Sequence, residues 1–300
     1  MTKRVYIIII WTLCASLLSG CVGRSAAPEE PVPSAPPAAA ATPEPPSTVP
    51  DPTTEPEKNG AYELLSGLFD NYHFGVAGSS LTGAWYAASL VDWGVKNGGE
   101  ALRSGARAWD RGLENEYGER MEDKLTSLYA LAFSFYGQGK LVLADCGWEG
   151  EWDYSTAQIR EVFEPIYASL SLDRPSLWRV YYPDSEVMYL RAQGVTLKSD
   201  DLVDITQSLN AALKDFVLRN GAAIHSAVLN NGVLTLELNR VLEEQIRAYG
   251  TSGELLTVAA LVDTALDNVP GAESVMLTVN GAPLETGHNI YDRSMGFMEE

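Results

Sequence analysis

Histidine and cysteine are scarce in this 300-residue chain, three of each, and their scarcity removes whole classes of chemistry. His73, His225 and His288 have no partner at zinc-binding spacing, and there is no His-Glu-x-x-His run or cysteine pair, so no metal is expected. Basic charge is also short: 21 Lys and Arg stand against 40 Asp and Glu, a net charge of −19. Nucleic acid needs a basic stripe to neutralise its phosphates and is not an expected partner. An anionic membrane surface would repel the chain for the same reason. Gly137-Gln138-Gly139-Lys140 lacks the spacing of a phosphate-cradling loop, and Gly78-Ser79-Ser80-Leu81-Thr82-Gly83 does not match the Gly-x-Ser-x-Gly nucleophile elbow. Neither a small-molecule cofactor nor a catalytic residue is expected. The nearest approach to a catalytic set is acidic: Asp145, Glu149 and Glu151, beside Trp148 and Trp152, are the carboxylates a wall hydrolase would need.

A long apolar run is missing too. Val5 to Leu18 is apolar for fourteen residues, short of the roughly 20 that span a bilayer core. Behind Lys3 and Arg4 it reads instead as a secretory signal. It ends in Leu18-Ser19-Gly20-Cys21, which resembles the lipobox of bacterial prolipoproteins. That resemblance implies a signal peptide over 1–20, cleavage between Gly20 and Cys21, and a lipid such as palmitate on Cys21. The lipid bilayer is then a partner through this anchor, and the chain is held outside the cytoplasm at the bacterial cell membrane. Residues 21–58 read as a disordered linker: eleven of the sixteen prolines fall there among Ala, Glu, Ser and Thr, too little apolar surface to offset ordering entropy. At about 3 Å per residue such a tether reaches up to roughly 100 Å. Cys14 leaves with the signal and Cys21 takes the lipid, so Cys146 has no partner for a disulfide. It is expected to pack as a small hydrophobe.

What is present begins after the linker. Residues 59–300 carry 17 basic and 34 acidic side chains, a net charge of −17, which reads as a solvated acidic surface. From 59 to 174 the pattern is that of a small helical, aromatic-rich domain. Ser79 or Ser80 is placed to cap a helix running to Gly98-Gly99, and a second stretch over 100–112 is weakened by Gly105 and Gly112. Met121, Leu125, Leu128, Ala132 and Phe135 form one stripe. Ser155 to Gln158 is a capping box before a helix that Pro165 should break or kink. All six tryptophans beyond the signal lie between Trp85 and Trp178. Trp85 and Trp93, eight apart, are expected to share a core face. Trp148, Trp152 and Tyr154 sit in a Gly-containing loop, the best candidate for a surface patch that meets glycan or a partner.

From 177 to 296 strands and helices mix. Trp178, Val180 and Tyr182 alternate, Pro183-Asp184-Ser185 turns the chain, and a second strand should run from Val187 and Tyr189 to Val195. Asp200 or Asp201 should cap a helix through Ile205, Leu209, Leu213 and Phe216. Asn230-Asn231-Gly232 should close a hairpin whose second arm turns Leu234, Leu236 and Leu238 inward. Thr251 to Glu254 reads as another capping box, and Ser274 to Asn280 as a final strand closed by Gly281. The order predicts an α+β fold, two helices on one antiparallel or mixed sheet. At this point the sequence resembles the GerMN (sporulation and spore germination) domain of bacterial envelope lipoproteins. The matching pieces are Val180-Tyr181-Tyr182-Pro183-Asp184, Leu234 to Asn239, the helix Glu254 through Asn268, Val275 to Gly281, and Glu285-Thr286-Gly287-His288. One departure stands out: where the family reads Val-Asp-Phe-Ser, this strand has Glu237 for the acid and Asn239 for the serine. The resemblance carries over no catalytic residue and implies assembly or interaction in the cell envelope. The leading reading is therefore a non-enzymatic module that meets envelope proteins or copies of itself. The alternative is a glycan-binding lipoprotein using the aromatic loop.

Overall fold

A computed structural model of the chain describes residues 57–71, 79–112, 118–137 and 139–298. The signal segment, Gly20, Cys21, the linker through residue 56 and His73 lie outside them, as do the side chains of residues 79, 80 and 121. The described residues fall in one unit of contacts, with two apolar cores inside it.

The first core belongs to six helices: α1 (Gly60–Asn71), α2 (Ser79–Asn97), α3 (Gly99–Gly112), α4 (Gly118–Ala132), α5 (Gly139–Asp145) and α6 (Thr156–Ser169). The predicted stripe is buried at Leu125, Leu128 and Ala132 on α4 and continues past its end to Phe135. These meet Leu90, Val91, Trp109, Tyr129, Phe133, Phe163 and Tyr167, with Tyr129 stacked on Phe163 at 4.7 Å between ring centroids. Ser155 and Gln158 form the expected capping box: Gln158 N donates to Ser155 Oγ at 3.2 Å and Ser155 N to Gln158 Oε1 at 2.9 Å.

Three helical expectations need correction. α6 runs unbroken through Pro165, which is buried. Its missing N–H deprives only the carbonyl of Glu161, an exposed residue that water can reach. Gly105 is not a weak point in α3. A Cβ there would stand 2.7 Å from Ala61 Cβ and 2.8 Å from Tyr62 N, so its bare backbone is what lets α1 approach. Trp85 and Trp93 do not share a face: Trp85 is 37% exposed while Trp93 is packed against the core. Eight residues at about 100° each overshoot two turns by about 80°.

The second core is α+β, as the sequence predicts, but more divided than expected. β1 (Leu177–Pro183) and β2 (Leu190–Thr196) make a separate antiparallel hairpin. Residues before Leu190 turn rather than extend, with Val187 at φ 56° and the Asp184 carboxylate accepting from Met188 N at 2.8 Å and Tyr189 N at 3.2 Å. α7 (Ile205–Leu213) follows; its cap is Asp204, which accepts from Gln207 N at 2.8 Å, not Asp200 or Asp201, which end a 3-10 turn. β3 (Ile224–Asn230) and β4 (Val233–Leu238) form the predicted hairpin, its turn at positive φ in Asn231 and Gly232, and Leu234, Leu236 and Leu238 are buried. Each such leucine contributes roughly 2 kcal/mol of burial.

Two short amphipathic signals went unread. α8 (Arg240–Arg247) is a third helix, capped by Asn239 and buried at Leu242 and Ile246. β5 (Ser274–Val279) is not the last strand: Asn280 and Gly281, both at positive φ, turn it into β6 (Ala282–Glu285), followed by β7 (Ile290–Tyr291). The result is a five-stranded mixed sheet, β3-β4-β5-β6-β7, in which β4 and β5 are parallel. A parallel pair requires a crossover, supplied here by α8 and α9 (Thr251–Asn268). Over 257–265 α9 is buried on all sides because it lies between β1 and the larger sheet, touching both. The two departures from the family pattern also acquire roles. Glu237 accepts from Thr278 Oγ1 at 2.6 Å and from Gly281 N, and Asn239 caps α8 through Leu242 N at 2.9 Å.

Both strands that end a sheet on the α7 or α9 side are closed by the same device. On β1, the Asn268 amide accepts from Arg179 N at 3.0 Å and donates to Arg179 O at 2.6 Å, while Thr264 Oγ1 accepts from Tyr181 N at 2.9 Å. On β3, the Asn210 amide accepts from Ile224 N at 3.0 Å and donates to Ile224 O at 2.8 Å, while Thr206 Oγ1 accepts from Ala227 N at 2.9 Å. In each helix the Thr precedes the Asn by four residues, one turn, so both side chains lie along one strand. The backbone groups covered in this way are not open to pairing with another chain.

Candidate functional site

The most chemically loaded place in the molecule is where α6, β1 and α9 meet. Arg179 interrupts an apolar strand and is only 4% exposed. Its Nε donates to Phe133 O at 3.0 Å, and its Nη1 to Tyr181 Oη at 3.3 Å and Asp267 Oδ2 at 3.2 Å. Asp267 Oδ2 also accepts from the Tyr181 hydroxyl. Burial, partly offset by Arg179 and reinforced by Asp267, pushes the Tyr181 phenol well above its ordinary range, so it stays a donor. Arg160 of α6 crosses to the same place, its Nη2 donating to Asn268 Oδ1 at 3.0 Å and Leu177 O at 3.2 Å. The helical half and the α+β half are thus stitched by arginines. Gly194 of β2 adds to the contact, since a Cβ there would lie 2.7 Å from the Ala130 backbone.

The predicted aromatic loop borders this junction. Trp152 is 8% exposed, edge-on to Phe135 at 4.9 Å, Tyr154 at 5.0 Å and Trp148 at 5.9 Å. Tyr154 donates to Asp92 Oδ1 at 2.7 Å; burial, together with this bond and the Asp92 charge, pushes its pKa up to about 12. Trp148 is half-buried. The three rings are mostly wrapped by one another rather than displayed as a flat platform. They do wall two clefts. One, of about 410 Å³, lies along Trp148, Glu151, Trp152 and Asp153. The other, of about 310 Å³, runs from Trp152, Asp153 and Tyr154 to Arg179, Asp267 and Phe297.

Other residues singled out from the sequence are scattered. Asp145, Glu149 and Glu151 are exposed, as are His225 on β3 and His288. Cys146 is half-buried, its thiol donating to Leu143 O at 3.0 Å. Among the described residues no cluster of His, Cys, Asp or Glu could hold a metal ion, and no helix is long and apolar enough to cross a membrane.

Sequence reasoning missed the buried charges. Glu254 belongs to no capping box, since the N-cap of α9 is Gly250, which has no side chain to cap with. It is buried and its Oε1 accepts from Thr286 Oγ1 at 2.6 Å, Asn289 Nδ2 at 2.9 Å and Tyr291 Oη at 3.0 Å. Burial opposes its charge, but these three donors win and hold the carboxyl below its ordinary range. Asp263, nine residues on, is buried with one donor, Met298 N at 2.9 Å. There burial wins, aided by Asp267, and the pKa is pushed up to about 7. The available signal was a charge every few residues, Glu254, Asp263 and Asp267, in an otherwise apolar helix.

No curated protein and no solved structure matches the chain. Residues 179–285, from within β1 to the end of β6, match the Germane family model, described as sporulation and spore germination.

Proposed function

We propose that this chain is a lipoprotein anchored through Cys21 outside the cytoplasm, whose α+β half is a non-enzymatic interaction module of the bacterial cell envelope in sporulation or spore germination. The observation that carries the reading is the family match, which takes in the α+β half from β1 through β6. The signal and lipobox-like residues ending at Cys21, the proline-rich tether and the acidic surface support the location. The partner is an envelope protein or a second copy of the chain. Asn268 and Asn210 cover part of the β1 and β3 edges, which favours contact through loops and helix faces over strand addition at those two edges.

Two experiments test this. Labelling cells with a palmitate analogue should mark the wild type and leave Cys21→Ser unmarked; equal labelling rejects the anchor. Crosslinking in intact sporulating cells, followed by capture of this chain, should recover a defined envelope protein or a dimer. Recovery of monomer alone rejects the interaction module.

A further inference from the structure

Residues 292–298 reach β5 and α9 with no helix or strand of their own beyond a single bridge. Met295 N donates to Val275 O and Val275 N to Met295 O, both at 2.8 Å. The segment thus covers β5 where β6, paired only with Thr278 and Val279, no longer does. Three residues on, Met298 N donates to Asp263 Oδ1 at 2.9 Å. Asp263 is 0% exposed, and its other oxygen is sealed in the fold without a partner. Met295 and Met298 are packed against the α+β core, while the other five residues of the segment are exposed. From this arrangement we propose that residues 292–298 are a latch, seated while Asp263 is protonated and released when it ionises.

A neutral carboxyl can be sealed in a core at modest cost, whereas a sealed carboxylate needs donors to replace its water. Asp263 has only Met298 N, and no basic side chain bonds it among the described residues. The cations on the elements packed against α9 are engaged elsewhere. Arg179 of β1 and Arg160 of α6 are spent on Asp267 and Asn268, with Tyr181 also on Asp267. Arg191 of β2 faces Asp184, and Arg240 and Arg247 of α8 pair with Glu244 and Glu243. β5 has no titratable group, and Glu161 and Glu164 of α6 and Asp292 and Arg293 of the segment are exposed. Burial, aided by Asp267 and opposed by the Met298 bond, therefore pushes the seated carboxyl up to about 7. When residues 292–298 lift, water reaches it and it returns toward the ordinary 3.8. By linkage the lifted fraction rises by up to about tenfold per pH unit between those values and levels off above the higher one. A short segment of mostly exposed residues opens at less cost than α9 could be pried from β1 or the sheet. Release hydrates the carboxylate and bares the N–H and C=O of Val275.

The test follows amide hydrogen exchange in the full chain in a zwitterionic detergent, at about pH 5.5 and about pH 8, as protection factors corrected for the intrinsic rate. In the wild type, protection of the Val275, Met295 and Met298 amides should fall at least about tenfold at the higher pH. Leu236, inside the sheet on β4 between β3 and β5, should keep its protection. Asp263→Asn, neutral throughout, should protect the three amides equally at both pH values. Met295→Pro removes the N–H that Val275 O accepts and should expose the Val275 amide already at the lower pH. It keeps the test valid should Asp263→Asn fail to fold. Equal wild-type protection at the two pH values overturns the inference. So does a fall that Asp263→Asn retains, a fall that Leu236 shares, or Val275 protection that survives in Met295→Pro.

Discussion

β1 and β3 are each covered by a Thr and an Asn one helical turn apart, although on β3 the two contacts span a bulge, and the two seals lie in different surroundings. The β3 seal, Thr206 and Asn210, is half-buried and serves one strand. The β1 seal, Thr264 and Asn268, is buried, and Asn268 also receives Arg160 from the helical half. One device therefore does two jobs. At β3 it keeps a sheet edge from pairing with other chains. At β1 it joins two cores into one unit. A hydrogen bond's geometry says little about its importance; what is lost with it depends on whether water can replace it.

The sharpest way to break the comparison is to remove both amides. Asn268→Ala strands the buried N–H and C=O of Arg179 and one N–H of Arg160, so urea denaturation should show a loss of about 3 kcal/mol. Asn210 is itself half-buried, so in Asn210→Ala water can take its place on Ile224, and the loss should be about 1 kcal/mol. Equal losses would mean that burial does not separate the two seals.

The two buried carboxylates of α9 sharpen the contrast through pH. Asp263 has a folded pKa of about 7 against an ordinary 3.8, so ionising it penalises the fold. The penalty is absent below 3.8, grows as pH rises toward 7 and is complete above it. Asp263→Asn should therefore raise Tm at pH 8, with the gain fading by pH 4. Glu254 has the opposite sign. Its folded pKa lies below the ordinary 4.5, so its contribution is whole above 4.5 and is lost as pH falls through the depressed folded value. Glu254→Gln should lower Tm in the neutral region, with the loss fading as pH falls through the depressed folded value, so that the acid limb of the Tm profile flattens, a smaller effect. The smallest is Thr206→Val, worth about 0.5 kcal/mol and well below Thr264→Val.

Much of the fold was legible because it rests on local rules. The Ser155-Gln158 box, the Asn231-Gly232 turn and the leucine face of β4 are satisfied by neighbours in sequence. The misses came where distant residues decide. Trp178 and Tyr182 alternate as predicted, yet Arg179 and Tyr181 on the opposite face are buried too, because the helical half covers it. Pro165 continues a helix, and Gly105 and Gly194 mark close contacts with segments far away in the chain. The aromatic loop was visible as a cluster. That its rings would pack on one another and leave Trp152 Nε1 unmet was not.

By itself the order of residues determined the acidic character of the chain, its helical and α+β halves, and the α+β pattern that the family match shares, since composition and periodicity act within a few turns of backbone. The tertiary structure alone decided which charges are buried and which stretches of strand edge are covered. Those depend on side chains such as Arg160, Arg179 and Asn268, up to 108 residues apart, meeting where water is excluded, and no local pattern encodes that meeting.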